Sequence, residues 1–248
     1  MDKPRPVARV YAPEARGNRS AVDLPPDEAH YLTHVLRLRV GDDVAVFDGA
    51  GREWTGRVAA GGQNGVRVEL GQSIDPVPEP GIRVVLAIGL LKGDQMDSVV
   101  RDATMLGVAE ILPMITAHVA VSGRARESGK AIGRWTRVAI ASARQCGRAV
   151  VPRIGSITSF ETVLRETDRD QMVIATEPAV ASAAVLPAPE RPQAALVLVG
   201  PEGGWSREEI ERALLEGARP RQLGLRTLRA ESAPIVLLSA LWTEWGWT

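Results

Sequence analysis

Five apolar residues with no polar alternate, Ala195–Val199 (ALVLV), stop at Gly200-Pro201-Glu202-Gly203-Gly204 and give way to a helical pattern at Ser206. A strand without alternation is buried on both faces, as in a parallel sheet covered by helices. The same sequence of apolar strand, turn and helix recurs upstream. Val84–Ile88, Glu110–Met114 and Met172–Ala175 read as strands. Asp94–Leu106 (ending at Gly107), Gly133–Cys146, Phe160–Glu166, Ser206–Glu216 and Pro234–Trp245 read as helices. The pattern predicts an α/β domain, whose ligands sit at the carboxyl ends of the strands.

Upstream of Asp75–Gly81 (DPVPEPG) the pattern is different. Ala8–Tyr11, Ser20–Leu24, Asp43–Phe47, Glu53–Val58 and Val66–Leu70 are short strand candidates bounded by Gly, Pro and Asp. One helix is predicted over Asp27–Leu36, after Pro25-Pro26, and Asp48-Gly49-Ala50-Gly51 signals a hairpin. The expected organisation is a small β-barrel or sandwich over 1–74, a linker over 75–82, and the α/β domain over 83–248. A second Pro-rich stretch, Pro187–Pro192, reads as a loop inside the α/β domain.

Thirty basic residues balance thirty acidic ones, so a nucleic-acid partner must be argued from local clustering. One cysteine, Cys146, excludes an internal disulfide and a cysteine-based zinc site. The longest apolar runs fall short of a membrane span, and Met1–Arg9 lacks a signal-peptide core, so a soluble cytosolic protein is expected. His30 and His34 stand i, i+4 with no third ligand beside them, and read as packing or RNA-facing residues, not metal ligands.

Three segments carry chemistry. Leu198–Ser206 joins a buried strand to a helix through glycines that let a ligand approach, and Ser206 with Glu209 fits a capping box. Taken alone, it reads equally well as a tight strand-to-helix turn. It matches neither GxGxxG nor a Walker A loop. Leu223–Ala233 sets Arg226, Arg229 and Glu231 beside an apolar helix whose first turn suits Pro234. Taken alone, it reads as a capped helix start with a solvated ion pair. The window 120–153 holds Arg124, Arg126, Lys130, Arg134, Arg137, Arg144, Arg148 and Arg153 against Glu127, a net of +7. On a helix, Arg134, Arg137, Arg144 and Arg148 fall on one side. Ile132, Trp135, Ala139, Ala143 and Cys146 fall opposite, with Cys146 expected to be buried. With no acidic partners nearby in sequence, the strip favours RNA phosphates over a solvated face. Trp242, Trp245 and Trp247 fit either a partner subunit or the core of one subunit.

At these residues the chain resembles the bacterial 16S ribosomal RNA uridine-N3 methyltransferases of the SPOUT class. The matching stretches are His30–Asp42, Phe47–Gly49, Lys92–Asp97, Ala103–Val108, Gln145–Arg148, Val151-Pro152, Gly200–Gly204 and Leu223–Ala233. The resemblance implies a PUA-like N-terminal barrel for RNA docking and a trefoil-knotted SPOUT domain. It implies a homodimer that binds S-adenosylmethionine. By position the cofactor loops are Thr176-Glu177, Gly200-Pro201-Glu202-Gly203-Gly204 and Leu223–Arg229, including Gly224, Leu228 and Arg229. Candidate RNA contacts are Arg9, Arg37, Arg39, Lys92, Arg134, Arg137, Arg144 and Arg148. Arg229 is the candidate for stabilising or orienting a uracil anion. Glu231 is the candidate for taking its proton or for positioning Arg229. No metal is needed.

The sequence departs from the family at Ala141 and Arg144, where Glu is usual, and at Cys146, where Ser is common. Thr227 replaces a usual Ile, Ser232 a usual Thr, and Pro234 follows Ala233 unexpectedly. A non-catalytic RNA-binding or ribosome-assembly factor with a vestigial cofactor pocket is the alternative. The loop glycines argue against it, since only a ligand requires them. A small-molecule α/β enzyme leaves the barrel and the +7 window unexplained.

Overall fold

The computed structural model describes residues 8–17, 19–62, 65–119, 128–177 and 191–247. Arg124, Arg126, Glu127 and the stretch 187–190 of the second Pro-rich segment lie outside the described residues. The chain divides into two compact units, residues 1–79 with 140–151, and residues 80–139 with 152–248. The first half runs β1 (Arg9–Tyr11), β2 (Ala21–Asp23), α1 (Pro26–His30), β3 (Asp43–Phe47), β4 (Glu53–Ala60) and β5 (Val66–Ile74). Then follow β6 (Arg83–Gly89), α2 (Gln95–Met105), β7 (Glu110–Ile115), α3 (Ser128–Cys146), β8 (Arg153–Ile154), β9 (Thr158–Ser159) and α4 (Phe160–Glu166). The chain closes with β10 (Gln171–Thr176), β11 (Ala194–Val199), α5 (Arg207–Leu215), β12 (Arg219–Gln222) and α6 (Ala233–Glu244).

The first unit is one five-stranded sheet in the order β1-β3-β4-β5-β2. Residues from all five strands (Val10, Val22, Val46, Val58 and Val68 among them) enter one buried cluster with Leu24, Ala29 and Leu32. A single sheet that brings every strand to one core curls around it, so the sandwich alternative is set aside. The β3–β4 hairpin forms where Asp48 predicts it. Its carboxylate accepts the N–H groups of Ala50 (2.7 Å) and Arg52 (3.1 Å).

The helix expected over Asp27–Leu36 is α-helical only to His30. Tyr31–Val35 is a π-turn, in which Leu36 N–H reaches the Tyr31 carbonyl, five residues back (3.0 Å). The Thr33 hydroxyl takes the Ala29 carbonyl at 2.8 Å and so competes with the regular ladder. Arg37, at φ 57°, then turns the chain out of the helix.

The sequence boundaries assign 140–151 to the second domain, whereas this segment packs within the first unit. Ala143 and Ala149 join Phe47, Tyr11 and Val151 in a small core on β3. Arg9 makes a two-point contact with Glu53 (2.9 and 2.8 Å) and lies over the Phe47 ring. It also donates to the carbonyls of Ala143, Arg144 and Arg148, which close the C-terminal end of α3. Arg144 pairs with Glu28 (3.2 Å) and stacks on Tyr31 (3.8 Å to the ring centre). Arg148 lies beyond the helix end, buried against Glu79.

The premise that the arginines of 120–153 lack acidic partners is therefore corrected. The partners come from distant sequence: Glu28 and Glu79 here, and Asp97 for Arg134 and Glu110 for Arg153 in the second unit. Arg9, Arg144 and Arg148 are committed internally and do not form an open phosphate strip. Cys146 is exposed, contrary to expectation. As the last residue of α3 it lies past the packed turn that Ala143 completes.

The second unit holds a seven-stranded sheet, all parallel, in the order β12-β10-β11-β6-β7-β8, with β9 also on β7. β11 is central, and Ala195–Val199 are all buried. The two short strands β8 and β9 carry no apolar run that marks them in the sequence. The C-terminal tryptophans pack inside the unit. Trp242 and Trp245 are buried, and Trp242 Nε1 donates to the Leu106 carbonyl (2.7 Å). At the end of β6, a Cβ on Gly89 would lie 2.6 Å from Pro201 N and Cδ, so only glycine lets the next loop approach.

Two outcomes follow from this packing. Burial pushes the Glu28 carboxyl above its ordinary value near 4.5, opposed by the Tyr11 N–H and by Arg144. A raised pKa means the native state holds the proton more tightly than the unfolded chain does. The stabilisation from Glu28 is then complete below about pH 4.5 and is lost as pH rises through the raised value. The urea midpoint of the wild type, relative to Glu28→Gln, should fall between pH 4 and pH 7. A rise would show that the Arg144 pair outweighs burial. Gly89→Ala should destabilise by about 1–3 kcal/mol through the clash with Pro201, read as a lower denaturation midpoint.

Candidate functional site

Three loops meet at the carboxyl ends of the parallel strands of the second unit. They follow β10 (Thr176-Glu177), β11 (200–206) and β12 (223–232), and they line a cavity of about 350 Å³ together with Gln95 at the start of α2. The position is the one a parallel α/β sheet reserves for ligands.

The loop after β11 is a tight turn, closed by Gly204 N–H donating to the Pro201 carbonyl (2.9 Å), with Gly204 at φ +68°. Its exit is fixed by the expected capping box. Ser206 Oγ accepts from Glu209 N–H, and the Glu209 carboxylate accepts from Ser206 N–H. At the same helix end, hydrogen bonds from its own backbone N–H and from the Ser206 hydroxyl hold the Glu208 carboxyl below its ordinary range. Trp205 forms part of the wall, and its Nε1 donates to the Ala175 carbonyl (2.9 Å). Glu202 ties the loop sideways by accepting from Lys92 N–H (2.8 Å).

Of the sequence-predicted cofactor residues, Thr176, Glu177, Gly200, Pro201, Glu202, Gly204, Leu223, Leu228 and Arg229 line the cavity. Gly203 and Gly224 do not. Gly203 packs against His118, and the Gly224 carbonyl accepts from the Gln222 side chain. The candidate pair comes together loosely: the Arg229 guanidinium stands 3.9 Å from the Glu231 carboxylate. Arg229 is 84% exposed, while the Glu231 side chain is 20% exposed. Sequence reasoning missed Gln95 and Trp205 as wall residues. Trp205 was legible as the one aromatic inside the glycine turn. Gln95 lies in the matching stretch Lys92–Asp97, but nothing in the sequence brings that helix start to the loops after β10, β11 and β12.

The fit to S-adenosylmethionine can be judged on the residues themselves. The volume lies in the range of small-ligand sites. Ala175, Val199, Leu223 and Leu228 offer apolar wall for a flat ring, and Glu177, Glu231, Arg226 and Arg229 offer both signs of charge for a zwitterionic tail. The Thr176 hydroxyl is buried without a hydrogen-bond partner among the described residues, an unsatisfied group that a ligand would relieve. The residues present fit this cofactor. Among the described residues no group of three or more His, Cys, Asp or Glu side chains is placed to hold a metal ion.

The candidate RNA contacts divide sharply. Arg37, Arg39, Lys92 and Arg137 are exposed and carry no ion pair among the described residues. Arg134 is exposed but paired with Asp97 (2.8 Å). Arg9, Arg144 and Arg148 are the three held internally. His30 and His34 stack ring on ring at 4.3 Å on the surface of the first unit.

Comparison with known proteins agrees with this geometry. Residues 78–242 match a family described as an RNA methyltransferase domain, and residues 24–71 match an RNA methyltransferase PUA domain. The ribosomal RNA small subunit methyltransferase E of Bacillus subtilis is 30% identical over 222 residues, 87% of each chain. Its namesake in Synechocystis is 30% identical over 239 residues, covering 94% of this chain and 76% of that one. A methyltransferase from Legionella pneumophila solved with bound S-adenosylmethionine superposes with a TM-score of 0.88 at 28% identity, covering 95% and 97% of the two chains. A ribosomal RNA small subunit methyltransferase E from Neisseria gonorrhoeae, bound to S-adenosylmethionine, gives 0.83 at 28% identity, covering 96% and 98%. A glycine turn clamped at the end of a buried parallel strand, a PUA-domain match earlier in the sequence, and a family match spanning well over half the chain lead to one conclusion: this chain belongs to the RNA methyltransferase family that includes ribosomal RNA small subunit methyltransferase E.

Proposed function

We propose that this chain is an S-adenosylmethionine-dependent methyltransferase acting on N3 of one uridine near the 3′ end of 16S rRNA, in the small ribosomal subunit. The observation that carries the reading is the cavity at the strand ends, with Arg229 and Glu231 on its wall. The proposed division of labour gives RNA docking to 1–74, with 75–82 as linker, and chemistry to 83–248. The trefoil knot belongs to this proposal, supported by three strand-end loops meeting around one cavity. So does a cytoplasmic homodimer. The homodimer is supported by the exposure of three large apolar side chains, Leu225, Ile235 and Val236. Among the described residues no helix is long and apolar enough to cross a membrane.

Uridine N3 carries a proton at neutral pH and is a poor nucleophile until that proton leaves. The bound cofactor supplies a methyl group on a sulfonium, already electrophilic without a metal. The protein must present the base in line with that methyl and stabilise the uracil anion. On this reading Arg229 faces the developing charge. Glu231 is the proposed group that accepts the N3 proton or orients Arg229. The target base must leave its stack to reach them. Arg37, Arg39, Lys92 and Arg137 are the exposed cations proposed to meet phosphates.

The test is methyl transfer from labelled S-adenosylmethionine to small subunits lacking the modification, with naked 16S rRNA alongside and the product nucleotide mapped. Label at a single uridine N3, mainly in subunits, is expected. Cofactor binding without label would overturn the substrate. Neither binding nor label would favour the non-catalytic RNA-binding factor. Within the active enzyme, Arg229→Ala should lower kcat by about 10²–10³. Glu231→Gln should lower it by about 10² or more if it takes the proton. Unchanged turnover in either variant removes that residue from the mechanism.

A further inference from the structure

We infer that His118 is a positioning residue that fixes the cofactor loop from behind through its Nδ1–H. This inference rests on the cofactor reading of Gly200–Gly204 proposed above. His118 follows β7, and it does not line the cavity. Its Nδ1 lies 2.8 Å from the Gly203 carbonyl and 3.2 Å from the Gly204 carbonyl. Carbonyl oxygens only accept, so Nδ1 carries the hydrogen and one ring nitrogen serves two consecutive peptide groups. The approach is close: a Cβ on Gly203 would lie 2.8 Å from His118 Cβ.

The segment bearing His118 is itself anchored. Ala117 N–H donates to Glu209 Oε1 (2.7 Å), while Glu209 Oε2 accepts from Ser206 N–H (2.9 Å). One buried carboxylate thus ties the strut to the start of α5, just past the loop. From the other side Glu202 Oε1 accepts from Lys92 N–H (2.8 Å), and from the Gln95 amide (2.7 Å) when that amide is turned so that its nitrogen faces the carboxylate. The loop is clasped on two sides. His118 is the contact that sets the peptide planes of Gly203 and Gly204, and so the shape that Gly204 presents to the cavity.

Geometry also selects the informative substitutions. The side-chain amide of Asn places an N–H close to the histidine Nδ1 position, whereas Gln reaches toward Nε2. Binding of S-adenosylmethionine to the full chain would be measured by calorimetry for wild type, His118→Ala, His118→Asn and His118→Gln, with unfolding midpoints as the check on folding. Ala and Gln should weaken binding about three- to tenfold, the reach of one hydrogen bond, and Asn should restore most of it. In turnover, KM for the cofactor should rise in the same ratio while kcat changes by less than about twofold. Wild-type binding with an unaffected Ala variant overturns the inference. So does equal weakening in Ala, Asn and Gln, which would assign His118 a packing role only. A wild type that binds no S-adenosylmethionine overturns the cofactor reading itself.

Discussion

The pairing of β11 between β10 and β6 is the constraint on which the second unit depends. Because Ala195–Val199 has no polar alternate, it is stable only where both faces are covered and both edges are paired. That demand places its carboxyl end at the middle of the sheet, with the ends of β10 and β6 to either side. The turn at Gly200–Gly204 must then leave the sheet between neighbours, and Gly89 gives Pro201 room to do so. The cavity is a consequence of sheet order before it is a consequence of any polar residue.

Charge compensation follows a different logic. Some arginine–carboxylate pairs are local, such as Arg101–Asp102 and Arg207–Glu211, but those that organise the first unit join distant residues. Arg9 and Glu53 are 44 residues apart, and Arg144 and Glu28 are 116 apart. Such half-buried pairs contribute modest net stability once desolvation is counted, yet they are specific. Breaking one leaves a charge uncompensated, so the pairs fix where 140–151 packs within the first unit. The rise in the Glu28 pKa records the desolvation side of that balance.

What the sequence made legible was local or periodic. The hairpin at Asp48, the capping box at Ser206 and Glu209, and the helix start around Pro234 are each written within a few residues, and each forms as read. Most strand and helix positions in the α/β unit follow from apolar periodicity; the short strands β8, β9 and β12 carry no apolar run and do not. Non-local features escaped. A net charge counted over 120–153 could not see Glu28, Glu79, Asp97 or Glu110, so of the apparent strip only Arg137 is left without an ion pair among the described residues. The π-turn at Tyr31–Val35 depends on one Thr33 hydroxyl winning a carbonyl, which periodicity does not weigh. Within the candidate site, the three loops were legible by resemblance. The polar contacts that hold one of them, from His118, Glu209 and the Lys92 backbone, were not.

The two halves of the candidate site differ in how far the chain alone prepares them. The loop at Gly200–Gly204 is held by a buried carboxylate, a turn hydrogen bond and contacts on both sides, so the proposed cofactor would meet a surface already shaped. Arg229 is the opposite case. It is largely exposed, and a pair 3.9 Å from Glu231 in water contributes little. A guanidinium stabilises a developing anion strongly only where water is excluded. Nothing among the described residues supplies that exclusion for Arg229, so on the proposed reading it comes on assembly, from the docked RNA together with the second subunit of the proposed homodimer. Recognition and catalysis are then coupled by solvent. A substrate that docks incompletely leaves Arg229 hydrated, and the methyl donor faces a base whose anion is not yet stabilised. That coupling gives a physical reason for an enzyme of this kind to favour structured RNA that fills the site over a flexible strand that reaches it only transiently.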